Sequence, residues 1–200
     1  MSENSPTIGI LLFDDVEELD FVGPWEVLTA TAQVTGQGRV VTIAERSDPV
    51  RCAKGLRVLP EHGFADAPAL DVVLVPGGQG TRREVANPVS IQWLRKVGSS
   101  CSWVTSVCTG SLLLHEAGFA RGRRVTTHWA FVDTLRQRGD VTVVDGVRFV
   151  RDGNLVTSAG VSAGIDMALW LAGQLHSPAV ARNVQRYIQY DPAPPYSAEI

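Results

Sequence analysis

Apolar positions along this chain fall into short β-branched runs, separated by longer segments with helical spacing. The runs are Ile8-Gly-Ile-Leu-Leu-Phe13, Arg39-Val-Val-Thr-Ile-Ala44, Asp71-Val-Val-Leu-Val75, Trp103-Val-Thr-Ser-Val107 and Leu155-Val-Thr-Ser-Ala-Gly160. Each reads as a buried strand, because buried strands are continuous in apolar residues rather than alternating. Between them lie helical segments. One opens at Gly23-Pro24, with proline in its first turn. Another runs from about Pro88 to Gly98 with Ile91, Leu94 and Val97 on one face. A leucine-rich helix follows Cys108. A strand end at Val125-Thr-Thr-His-Trp129 leads into a helix carrying Phe131 and Leu135. Ser162 is placed to cap a helix through Leu175 that lacks a polar face and so reads as buried. Ser177-Pro178 opens the last helix. Gly55 to Pro60 reads as a hairpin region, and Val141–Val144 and Val147–Val150 as short strands around the turn pair Asp145-Gly146.

This alternation predicts an α/β fold with a mostly parallel sheet covered on both faces. No repeat or linker interrupts it, so residues 1–200 are expected to form a single domain, with 1–6 flexible and 191–200 an extended tail. The length of 200 residues agrees with one domain. Hydrophobic content of 44% against 20% charged predicts a full core. The net charge of −3 and the lack of a long basic run give no support to nucleic-acid or membrane-surface binding. No apolar stretch has the length of a membrane span, and the N-terminal Met-Ser-Glu-Asn-Ser-Pro lacks the marks of a signal peptide. The three cysteines are odd in number and widely spaced, unlike a disulfide framework. A cytoplasmic, reducing location is expected.

The chemistry centres on Trp103-Val-Thr-Ser-Val-Cys-Thr-Gly-Ser-Leu-Leu-Leu114. A strand that ends at Cys108 and turns at once into a helix holds that side chain outward at the sheet's edge, as a nucleophile elbow does. The helix's first N–H groups should favour an anion there and ease ionisation of the thiol. The alternative for any free cysteine is a small buried core residue. Cys52, in a polar loop, and Cys101, before a strand, lack the elbow context. Gly77-Gly78 ends the Asp71 strand. It is either an ordinary turn or a place where the N–H of Gly78, with that of Thr109, forms an anion hole. Thr109 is a helix cap, a hydrogen-bonding partner, or both. In the acidic stretch Asp14, Asp15, Glu17, Glu18 and Asp20, periodicity does not choose among the carboxylates. Asp20 has the apolar neighbours Leu19, Phe21 and Val22. Beside a thiolate it would be pushed towards its protonated form and could shuttle a proton. His128 is either a substrate or thiol contact or a hydrogen-bonded, partly buried histidine. His62, His115 and His176 lack metal-ligand spacing, and no phosphate-loop, zinc-ligand or dinucleotide motif is present. Strand ends would bring Asp20, Gly77-Gly78, Cys108 and His128 to one edge of the sheet.

The pieces Leu19-Asp-Phe-Val-Gly-Pro-Trp-Glu-Val27, Val75-Pro-Gly-Gly78, Ser106-Val-Cys-Thr-Gly-Ser111, Val125-Thr-Thr-His-Trp129 and Gly160-Val-Ser-Ala-Gly-Ile-Asp-Met167 together resemble the ThiJ/PfpI superfamily along nearly the whole chain. Within it, Asp-Phe-x-Gly-Pro, Cys-Thr-Gly and the tail Gln189-Tyr-Asp-Pro-Ala-Pro-Pro195 look like isonitrile hydratases. The resemblance implies a flavodoxin-like three-layer sandwich, usually a homodimer, acting on a small-molecule substrate without metal or organic cofactor. It implies Cys108 as nucleophile, Asp20 as acid/base, Thr109 as a positioning group and Gly78 as the glycine whose N–H faces the cysteine. The superfamily's proteases place histidine directly after the cysteine, where this chain has Thr109. Its amidotransferases need a late His-x-Glu, where this chain has His176-Ser-Pro. Glyoxalase- or deglycase-like action on small dicarbonyls, supported by His128, and a cysteine redox sensor are the rival readings. Regulators with a similar domain carry a DNA-binding region after it, and this chain leaves no room for one beyond its last helix.

Overall fold

A computed structural model describes residues 5–193. Residues 1–4 and 194–200, which hold most of the expected flexible start and extended tail, lie outside the described residues. In chain order the elements are β1 (Thr7–Leu11), α1 (Glu18–Thr35), β2 (Arg39–Ala44), β3 (Val50–Arg51), β4 (Arg57–Val58), β5 (His62–Gly63), β6 (Val72–Val75), α2 (Thr81–Glu84), α3 (Pro88–Gly98), β7 (Trp103–Val107), α4 (Gly110–Glu116), β8 (Arg124–Val125), a single 3-10 turn (Trp129–Phe131), α5 (Val132–Arg136), β9 (Thr142–Val143), β10 (Phe149–Asp152), β11 (Leu155–Ser158), α6 (Ala163–Leu175) and α7 (Pro178–Tyr187).

The main sheet has the order β10-β11-β7-β6-β1-β2-β5. All its pairings are parallel except β10–β11, a hairpin closed at Gly153. Every residue of β6 and β11 is buried, as strands covered on both faces must be. One helical layer is α1, α6 and α7, whose Val27, Leu28, Ala168, Leu171 and Val184 meet Ile8 and Val72 of the sheet. The other layer includes α3 and α4, with Ile91, Leu94, Leu112, Leu113 and Leu114 in the larger core cluster. The mostly parallel α/β three-layer arrangement agrees with the expected fold class.

Local boundaries differ from the sequence expectation in instructive ways. The first helix begins at Glu18, not at Gly23, so Pro24 lies inside it and its missing N–H leaves the Asp20 carbonyl without its helical partner. Packing carries the helix through the proline. A Cβ on Gly23 would stand 2.9 Å from Ile165, and one on Gly164 would stand 3.1 Å from Pro24, so α1 and α6 approach closely here. Ser162 precedes α6 but makes no capping bond. Its backbone is already helical, and its hydroxyl accepts from Arg148 Nη2 at 3.3 Å instead. Ser177 does cap α7, accepting from the Val180 N–H at 3.3 Å. The segments around Asp145-Gly146 enter different sheets. β9 pairs in parallel with β8, apart from the main sheet, whereas β10 joins β11.

Candidate active site

Cys108 sits between β7 and α4 with φ of +58°, a left-handed conformation that costs an L-residue roughly 1–2 kcal/mol. The surroundings hold it there. Its N–H donates to the carbonyls of Ser158 and Ala159, at 3.1 and 3.0 Å. Its own carbonyl accepts from Thr127 Oγ1 at 2.9 Å and Ser111 Oγ at 3.1 Å. The β6 loop packs against the turn from behind. A Cβ on Gly110 would stand 2.0 Å from the Val75 carbonyl oxygen, and one on Gly77 2.5 Å from the Thr109 nitrogen. Glycine at both positions is therefore a steric requirement of the elbow.

Asp20, on the first turn of α1, is completely buried. Gly77 N–H donates to its Oδ2 at 2.8 Å, whereas Oδ1 has no hydrogen-bond partner among the described residues. Burial pushes its pKa from 3.8 up to about 7. The Gly77 N–H opposes this, the Glu17 charge adds to it, and the Cys108 thiol and Lys54 oppose it. The expected shift towards the protonated form is therefore present, but desolvation is its main cause and the neighbouring anion is Glu17.

Cys108 departs from the sequence expectation. Rather than ionising easily, its thiol is pushed from 9.0 up to about 12, first by burial and then by the Asp20 charge. The N–H and hydroxyl of Thr109 favour the thiolate but do not outweigh these. A short helix start cannot compensate for removing the sulfur from water beside a carboxyl group. At neutral pH the pair therefore holds a protonated thiol beside a carboxyl group poised to take or give a proton.

Of the two donors expected to form an anion hole, the Thr109 N–H favours the Cys108 thiolate, whereas the Gly78 N–H is engaged within the loop. Gly78 N–H donates to Thr109 Oγ1 at 3.1 Å. Thr81 Oγ1 donates to the Gly78 carbonyl at 2.8 Å and lies 3.1 Å from the Thr109 hydroxyl, tying the loop to the elbow. A small cleft of about 150 Å³ opens over the sulfur, lined by Glu17, Gly78, Gln79, Arg82, Cys108, Thr109, His128, Phe131 and Val161. Of the residues expected in the site, Gly78, Cys108, Thr109 and His128 line this cleft and Asp20 lies buried beside them. His128 Nδ1 accepts from the Ala130 N–H at 3.2 Å, and burial lowers the pKa of the ring. The imidazole is thus neutral, with its proton on Nε2. Trp129 is 80% exposed and Trp25 39% exposed; neither lines the cleft.

Sequence reasoning missed Arg82, Phe131, Val161 and Thr127. Arg82 and Phe131 stand in unrelated segments and meet only through the fold, with the guanidinium 4.4 Å from the ring centre. Val161 has φ of +48°, which no β-branched residue signals in advance. Thr127 does stand beside His128 in a quoted motif, so its hydroxyl could have been a candidate. Cys52 and Cys101 are buried away from the elbow, and burial raises both thiols to about 11.

A cysteine on a strand-to-helix elbow, met by a buried carboxyl group from the first β-α connection, defines the α/β sandwiches built around a nucleophile elbow. Within that class the chain belongs to the DJ-1/PfpI family, whose model matches residues 6–174. It is 42% identical over 191 residues to the isonitrile hydratase of Pseudomonas putida, covering 96% of this chain and 81% of that protein. A solved THiJ/PfpI family protein from Pseudomonas syringae matches with a TM-score of 0.90 at 32% identity, over 97% of this chain and 78% of that one. The HTH-type transcriptional regulator GbdR of Pseudomonas aeruginosa is 28% identical over 192 residues, 95% of this chain and 52% of its own length. The chain thus spans about half of that regulator. Among the described residues, no helix is long and apolar enough to cross a membrane.

Proposed function

We propose that this protein hydrates small isocyanides to N-substituted formamides, with Cys108 as nucleophile and Asp20 as proton shuttle. The observation that carries the reading is the elbow thiol of Cys108 set against the fully buried Asp20 carboxyl group, opening on a cleft of about 150 Å³. The likeness to an isonitrile hydratase over nearly the whole chain supports the same reaction.

The isocyanide carbon accepts both a nucleophile and a proton. Cys108 sulfur bonds to that carbon while its proton passes to Asp20, and Asp20 returns the proton to the same carbon. The S–H bond breaks, C–S and C–H bonds form, and the product is a thioimidate. Water then adds to the thioimidate carbon. Asp20 takes a proton from the water and delivers it to the nitrogen. Collapse of this adduct breaks the C–S bond and returns the hydroxyl proton to sulfur, releasing the formamide and restoring the thiol. In this scheme the high thiol pKa is not an obstacle, because sulfur loses its proton only as the new bond forms. Thr109 positions the elbow, and the neutral His128 and Gly78 line the substrate's path. We further propose a homodimer in a reducing, cytoplasmic setting, in keeping with the family resemblance and the free buried thiols; light scattering checks the first point.

The test incubates wild type, Cys108→Ala and Cys108→Ser with a simple alkyl isocyanide and follows formamide by NMR. Turnover by wild type alone is expected. Wild-type rates in either variant would remove Cys108 from the chemistry. An inactive wild type would reject the isocyanide reading and make methylglyoxal the next substrate to try.

A further inference from the structure

The Cys108 cleft carries a cation for which the hydration chemistry has no use. Arg82, in α2, lines it together with Gly78, Thr109 and His128. Its position is fixed. The guanidinium lies over the Phe131 ring, and Nη1 donates to the Gly78 carbonyl at 2.6 Å and to Thr81 Oγ1 at 3.3 Å. These contacts use one nitrogen of a planar fork that presents N–H groups on three. Among the described residues, Nη2 and Nε have no hydrogen-bond partner and no carboxylate stands within ion-pair distance of Arg82.

Its neighbours are different. Arg83 pairs with Asp15 at 2.8 Å, and Lys54 pairs with Glu17, the other charged side chain on the cleft wall. Glu17 thus pairs with Lys54 rather than with Arg82. At half-buried His128, burial disfavours protonation, the Glu17 charge favours it and the Arg82 charge disfavours it, so Arg82 is felt within the cleft. A guanidinium braced on an aromatic face at the wall of a small cleft, with Nη2 and Nε unpartnered among the described residues, has the donors to take a carboxylate.

We propose that Arg82 is a specificity-determining residue that forms a carboxylate subsite on the wall of the Cys108 cleft, and that the isocyanide it selects carries a carboxylate on its nitrogen substituent. The inference rests on the hydratase reading for the reacting end of the substrate. Only the far end is new: the isocyanide carbon meets Cys108 and the carboxylate meets Arg82.

Isocyanoacetate and its ethyl ester form a matched pair of probes, one anionic and one neutral. Wild type is expected to favour the acid in kcat/KM by about three- to fivefold, the range for an ion pair at a solvent-exposed side chain such as Arg82. Arg82→Gln should bring the ratio of acid to ester close to one. Arg82→Lys, which keeps the charge but not the fork, should retain only part of the preference. If Arg82 only braces the Gly78 loop, both variants lower the two rates together and the ratio stays put, which overturns the proposal. A wild-type ratio near one overturns it too.

Alkylation of Cys108 by iodoacetate and iodoacetamide, mapped by mass spectrometry, supplies a readout independent of isocyanide turnover. The ratio of anionic to neutral reagent should fall about three- to fivefold in Arg82→Gln, by the same charge-pair argument. Should neither isocyanide be hydrated while this ratio falls, the hydratase reading fails and the anion subsite stands. An unchanged alkylation ratio rejects the subsite.

Discussion

Replacing Asp20 by Asn should inactivate the enzyme and at the same time remove a loss of stability that wild type suffers as pH rises towards neutrality. The Asp20 carboxyl group is fully buried and titrates near 7 in the folded protein, against 3.8 for the exposed side chain. Below the lower value the group is protonated in both states and costs nothing. As pH rises towards 7, the unfolded chain releases its proton and the folded one does not, so stability falls. At about 1.4 kcal/mol for each tenfold difference in proton affinity, the whole penalty is about 4 kcal/mol. About 2.5 kcal/mol of it falls between about pH 5 and about pH 8. Asn carries no such titration. Its Oδ1 can still accept from the Gly77 N–H, while its amide placed where Oδ1 now lies unpartnered costs about 1–3 kcal/mol at every pH. The absolute effect of the substitution therefore mixes two contributions, but its pH dependence isolates one. Urea unfolding of wild type and Asp20→Asn at the two pH values should show the variant gaining about 2.5 kcal/mol on wild type as pH rises. A gain below about 1 kcal/mol, or a loss, would refute the assignment of a desolvated carboxyl group at this position.

Other substitutions probe how the elbow is held. Thr109→Ala leaves the Gly78 N–H without its acceptor and should cost about 1–3 kcal/mol in urea unfolding, with Thr109→Ser recovering most of it. Gly110→Ala drives a methyl group to 2.0 Å from the Val75 carbonyl oxygen and should cost more than about 4 kcal/mol or prevent soluble expression. Gly118→Ala is the control. Its φ of +94° brings backbone strain, but a Cβ there meets nothing within 4 Å, so a loss of only about 1–2 kcal/mol is expected.

Much of the architecture was readable from pattern alone. The β-branched runs of β1, β2, β6, β7 and β11 announce themselves because a strand buried on both faces is mostly apolar and admits only small hydroxyl residues such as Thr105 and Thr157. The start of α3 is legible at Pro88, a first-turn proline that acts within a few residues. Ser177 and α7 are legible for the same reason. The start of α1 was not, because Pro24 is a local stop signal that close packing on α6 overrides. The ionisation of Cys108 was misjudged on similar grounds. A helix start is visible in sequence, whereas the burial that outweighs it belongs to the assembled core.

By itself, then, the sequence determined the alternating α/β order, the elbow at Cys108-Thr-Gly, and the nearby candidates Asp20, Gly78 and His128, because periodicity, turn chemistry and motif are properties of neighbouring residues. Tertiary structure alone decided that Asp20 is completely sealed from water, that the Gly78 N–H donates to Thr109 Oγ1, and that Arg82 stands over Phe131 at the cleft. Each of those facts depends on the distance between segments far apart in the chain and on how much water the fold leaves between them, and neither quantity is written in local pattern.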